Sequence, residues 1–138
     1  MNPTLRNSLA VLSGLVIGGA VNMALVVIGG KAMPPPPGVD VNDIASINAH
    51  IGEYSVAQLM APFLAHALGT LVGALVAARI AVSHHMLLAM LIGIAFLAGG
   101  IMAVRMIPNS PAWFSALDLA VAYLPMAWLG ARVGRKRT

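Results

Sequence analysis

The chain has 138 residues, of which 59% are hydrophobic and 9% charged, with a mean hydropathy of +0.89. Soluble domains carry about 25% charged residues, so this composition belongs to a membrane protein, and the length accommodates four spans and no separate soluble domain. There is no cysteine, which excludes thiol redox chemistry, thiolate metal sites and disulfide staples; the pI near 10.4 comes mostly from basic residues at span ends, where topology and anionic lipid head groups explain it better than nucleic acid does.

The first span is predicted over about 5–30. Its apolar run exceeds the roughly 7–15 residues of a signal-peptide core and no A-x-A site follows, so a retained helix is expected. Gly14, Gly18 and Asn22 recur every fourth residue and share one face. Such a small-xxx-small stripe lets another helix approach closely, and the amide of Asn22 either bonds that neighbour or lines a polar pocket. After Lys31, the run Pro34–Pro37 is stiff and extended. Between spans one and two, Val41, Ile44, Ile47 and Ile51 fall on one helical face and Asp43, Ser46 and His50 on the other. A short amphipathic surface helix is therefore expected, capped by Asp40 or Asn42 and ended by Gly52. His50 and Glu53 have an i, i+3 spacing that would place two ligands on a metal, but Gly52 interrupts the helix and two ligands do not close a zinc site.

The second span, about 55–79, carries two adjoining stripes. Ala61, Ala65, Gly69, Gly73 and Ala77 make an unbroken small-residue face for helix packing. One residue on, about 100° around the helix, lie Gln58, Pro62, His66 and Thr70. His66 stands 12 residues from Tyr54 and 13 from Arg79, near the membrane midplane. Ser83, His84 and His85 form a tight connection. The third span is expected over about 86–106, with Arg105 at its far end, snorkelling to the interface. The fourth is expected over about 111–133, flanked by Trp113 and Trp128 and kinked at Pro125. Two starts are open for it. With Ser110 as N-cap and Pro111 at N1, Asp118 lies about two turns inside the span and needs a partner, either Arg105 or His66. With a start at Ser115, Ser115 and Asp118 form a capping box.

The expected architecture is thus all-α: one four-helix transmembrane domain over residues 1–138. If both termini are cytoplasmic, Arg6, Arg79, Arg132, Arg135, Lys136 and Arg137 lie inside and only Lys31 and Arg105 outside, as the positive-inside rule requires of a bacterial inner-membrane protein. The two halves echo one another loosely, in AARIA after the second span and GARVG after the fourth, a faint sign of duplication.

Almost every intramembrane polar group falls in the outer half. Asn22, Gln58, His66, Thr70, Arg105 and Asp118 are the candidate lining of an outward-facing pocket, with the surface helix as its lid. Three functions compete. A non-catalytic protein, oligomeric or accessory to a larger membrane assembly, would use the small-residue stripes as contact surfaces. A binding or proton-coupled transport protein would use the pocket, with His66 as its titrating group. An intramembrane enzyme would use His50, Glu53, His66 or Asp118 with a metal, but no local motif fixes a nucleophile, a metal cage or a phosphate loop. One histidine within the spans is too few for a two-haem cytochrome, and no pattern identifies any other cofactor.

Overall fold

Asn2 accepts a hydrogen bond from the Thr4 amide and Pro3 supplies a preset φ at the first helical position, so the first helix starts at once. This helix, α1 (Pro3–Ala32), is followed by α2 (Ile44–His50), a single 3-10 turn (Ile51–Glu53), α3 (Val56–Ile80), α4 (His85–Met106), α5 (Ala112–Val121) and α6 (Leu124–Gly134). The computed structural model describes residues 2–134, and no strand occurs among them. The basic tail residues Arg135, Lys136 and Arg137 lie outside the described residues.

Four stretches are long and apolar enough to cross a membrane: α1, α3, α4, and α5 with α6 taken together. The fourth is interrupted by a turn at 122–123, at the kink expected from Pro125. Pro125 has no N–H for the carbonyl of Val121 and its ring crowds that turn. A turn at Ala122 and Tyr123 separates α5 from α6: Ala122 keeps right-handed helical angles and donates to the Asp118 carbonyl at 3.0 Å, and α6 closes its first turn where Ala127 donates to the Tyr123 carbonyl at 2.8 Å. Pro62 sits in an otherwise continuous α3. The two halves therefore handle their prolines differently.

The small-residue stripes pack on each other. α1 and α3 run antiparallel, and a Cβ built on Gly73 would stand 2.6 Å from the Gly14 carbonyl oxygen. A Cβ on Gly18 would stand 2.7 Å from the Gly69 carbonyl oxygen, and one on Gly29 would stand 2.9 Å from the Ala61 Cβ. Only glycine permits such backbone contact. Ala65 and Ala77 are fully buried. The stripes expected to serve helix packing thus pack on each other within the chain. On its other side α3 meets α6, where Gly130 touches the Leu71 carbonyl region and Ala74, and Ala127 and Ala131 complete an alanine-rich core around Ile92 of α4. Outward-facing Leu, Val, Ile and Met cover the rest of α1 and α4, as lipid contact requires.

Each end of the bundle is tied. At one end Arg6 donates from Nε to the Ile80 carbonyl at 2.9 Å, Asn7 accepts from the Val82 amide at 3.0 Å and donates to Ser83 Oγ at 2.9 Å, and His85 bonds the Ala78 carbonyl at 2.9 Å. Arg132 stacks over Trp128 at 4.3 Å on the same end. At the other end α2 is capped by Asp43, not by Asp40 or Asn42, because the Asp43 carboxylate accepts from the Ala45 amide at 3.0 Å. Asn48 of α2 bonds Asn109 in the α4–α5 connection through both amide and carbonyl, at 2.9 and 3.2 Å. That tie holds α2 across the end of the bundle.

Candidate functional site

The fourth span starts at Ala112, with Pro111 in the N-cap position and no side-chain cap from Ser110. Asp118 therefore lies inside α5 and is 3% exposed, and the Ser115 capping box does not form. A buried carboxylate needs donors, and two are present. His66 donates from Nδ1 to Asp118 Oδ1 at 2.8 Å, and the Tyr123 hydroxyl donates to Asp118 Oδ2 at 2.9 Å. The phenol oxygen also lies 3.1 Å from His66 Nδ1, and the two rings stack at 5.8 Å and 27°. The three side chains close a triangle.

Tyr123 was not among the residues singled out by the sequence. On an unbroken helix, five positions turn a side chain about 140° away from Asp118. In the folded chain both groups nonetheless meet the same imidazole. The partner choice for Asp118 is also settled by geometry: it bonds His66 and not Arg105, which is exposed at the end of α4 and absent from the cavity walls.

With Nδ1 committed to the carboxylate, the neutral imidazole carries its acceptor lone pair on Nε2. Nε2 has no hydrogen-bond partner among the described residues, and a quarter of the His66 side chain is exposed. That exposure faces empty space. An outer chamber of about 380 Å³ lies between the spans under α2, walled mainly by aliphatic side chains such as Val26, Ile47, Ile51, Leu59 and Val104, with His66 and Asp118 in its lining. A second chamber of about 260 Å³ lies between α1 and α4, lined by Gly19, Asn22, Phe96, Gly99 and Tyr123, and again by His66. His66, Gly100 and Ala103 belong to both. The outer chamber falls at the small end of ordinary small-molecule sites, about 300–1,000 Å³, and the second lies just below that range.

The remaining candidates divide. Asn22 lies against the Gly69 backbone and lines the second chamber, and its Oδ1 is buried without a partner. Gln58 touches the outer chamber, but its side chain is engaged: it accepts from the Ser55 amide at 2.8 Å, closing a capping box at the start of α3, and donates to the Pro34 carbonyl. The S-x-x-Q pattern at 55–58 carries that signal in the sequence. Thr70 is fully buried and donates to the His66 carbonyl at 2.8 Å, so it braces the helix and does not line either chamber. His50 bonds the Ser46 carbonyl of its own helix at 2.8 Å, and Glu53 is exposed in the following turn. Among the described residues, no three potential ligands converge on a metal position.

Comparison of the chain with family models, with curated proteins and with solved structures returns no match.

Proposed function

We propose that this chain is a membrane protein that binds or transports a small, mostly apolar molecule in the space between its four spans, with His66 Nε2 as the recognising atom. Asp118 and Tyr123 act as positioning residues: they hold the imidazole in one tautomer and one orientation, as a carboxylate does behind many functional histidines. The single observation that carries this reading is that the one imidazole at mid-depth is braced on Nδ1 by two buried groups while its other face borders two cavities. A purely structural histidine has no need of an open face. The reading as an oligomeric or accessory subunit loses its main support, since the stripes that motivated it are packed against each other inside the chain.

The end bearing Arg6, Arg79 and Arg132 is assigned to the cytoplasm of a bacterial inner membrane by the positive-inside rule, with both termini inside and α2 on the opposite surface as a lid. The chain has no native cysteine, so a Gly38→Cys variant can be labelled in intact cells with a membrane-impermeant maleimide. Labelling from outside is expected, and labelling only after lysis overturns the orientation.

The binding reading is tested by NMR of the protein in nanodiscs with isotope-labelled histidine. Adding a lipid extract of the native membrane should move the His66 Nε2 resonance and leave Nδ1 nearly in place. No movement in wild type, with an Nδ1–Asp118 bond still visible, would make the triangle a packing device.

A further inference from the structure

The chemistry left open around His66, and the direction from which it is open, narrow the ligand further; the argument rests on the binding reading above. Consider charge first. Both Asp118 oxygens are already engaged, at 2.8 and 2.9 Å, and the residue is 3% exposed, so no free carboxylate greets a cation. No lysine or arginine lines either chamber, so nothing greets an anion. The ring nitrogen left open at the site, His66 Nε2, is an acceptor in the tautomer that donates Nδ1–H to Asp118. A buried acceptor without a donor is costly, and a bound donor relieves it. The complementary group is neutral and donates: a hydroxyl or phenol. The aliphatic walls require the rest of the molecule to be apolar.

Now consider access. α1 packs along α3 and only lightly on α4. The second chamber occupies the seam between α1 and α4, and its wall residues Ala95, Gly99 and Ala103 are exposed on the outside of the bundle. Gly19 and Gly99 lie in mid-helix, and a Cβ built on either meets nothing within 4 Å. The seam thus opens sideways at the depth of the lipid chains, where a water-borne solute does not arrive. At its inner end it reaches His66 and Gly100, which also border the chamber under α2.

We propose that the α1–α4 seam is a lateral port through which a lipid-borne alcohol or phenol leaves the bilayer and places its hydroxyl on His66 Nε2. The outer chamber under α2 then receives the molecule from the port, so movement between the two chambers is movement between the bilayer interior and the α2 face of the protein.

The test uses the full chain in phosphatidylcholine vesicles and two photoreactive probes, a diazirine-bearing long-chain alcohol and its methyl ether. Wild type should be labelled at α1 and α4 residues of the seam, with the alcohol favoured over the ether by about tenfold, the worth of one hydrogen bond. Gly99→Leu, and independently Gly19→Leu from the facing helix, should fill the seam and reduce alcohol labelling to the level of the ether. Ile47→Trp, which narrows the outer chamber, should leave seam labelling unchanged. If both leucine variants fold and label like wild type while Ile47→Trp abolishes labelling, the port is wrong and the binding site stands, entered from the α2 side. If alcohol and ether label the seam equally, the hydroxyl assignment is wrong. If neither probe labels wild type anywhere in the two chambers, the port and the binding reading fall together.

Discussion

Gly99 and Gly100 are neighbours in α4 with opposite surroundings, and replacing each by alanine separates the role of the triangle from the properties of glycine. A Cβ on Gly100 would stand 2.5 Å from the Tyr123 hydroxyl, 2.7 Å from its Cζ and 2.8 Å from its Cε2. All three atoms belong to one rigid ring, so the ring must retreat by about 0.9 Å to reach the near edge of ordinary contact at 3.4 Å. The hydroxyl starts 2.9 Å from Asp118 Oδ2, and a retreat of that size along the line of the bond takes it beyond useful hydrogen-bond range. Losing a hydrogen bond to a carboxylate costs about 1.5–3 kcal/mol, and exchanging a mid-helix glycine for alanine returns about 0.5–1 kcal/mol. The expected net loss for Gly100→Ala is about 1–2 kcal/mol, whereas Gly99→Ala, with nothing within 4 Å, shows only the gain. Removing the obstruction should reverse the sign: in a Tyr123→Ala background, Gly100→Ala becomes neutral or stabilising, with a coupling energy of about 1.5–3 kcal/mol in the double-mutant cycle. Helicity followed by circular dichroism during titration of mixed micelles with dodecyl sulfate gives the four stabilities. Equal effects at the two glycines, or strict additivity with Tyr123→Ala, would refute the contact and the bond it protects.

Three further outcomes follow from the packing and the caps. Gly73→Ala places a methyl group against the Gly14 carbonyl, which is backbone and has nowhere to move, so an overpacking loss of about 1–3 kcal/mol is expected in the same assay, against no loss for Gly19→Ala. Ser55→Ala removes the acceptor of the Gln58 amide at the start of α3 and should cost about 0.5–2 kcal/mol, with faster hydrogen exchange confined to the first turn; exchange spread along the whole helix would contradict a local cap. Burial pushes the Tyr54 phenol above its usual range. The folded state therefore prefers the protonated phenol, and that contribution is complete below the ordinary value near 10 and is lost as pH rises through the raised one. Tyr54→Phe should flatten the alkaline fall in stability, and an unchanged alkaline limb would place its cause elsewhere.

Hydropathy and period-four spacing mark the spans and the stripes because both are local properties of a helix in lipid. Four helical stretches are long and apolar enough to cross a membrane, and Gly69 and Gly73 of α3 stand against the Gly18 and Gly14 backbones. Which surface a stripe meets is not local, and the apposition of Gly14 with Gly73 is visible only in the folded chain. The same holds at the site. His66 and Asp118 stand out because ionisable groups are rare inside spans, whereas Tyr123 is an unremarkable aromatic whose meeting with them is visible only in the folded chain. Pro125 marks the interruption of the fourth span. Of the two partners the sequence offers Asp118, His66 and Arg105, only His66 is used. The charge of Arg105 made it a natural partner for Asp118, yet a long side chain at a span end finds water more cheaply than a buried carboxylate.

The central claim is that the cavity beside His66 holds a small organic molecule, and native mass spectrometry of the protein released gently from its own membrane tests it most directly. The account predicts the mass of the chain plus a discrete small-molecule mass, retained in Gly38→Cys and lost in His66→Ala. A bare chain mass from wild type, whether alone or bound to a larger protein, would contradict it and leave His66, Asp118 and Tyr123 as groups that pack the helices.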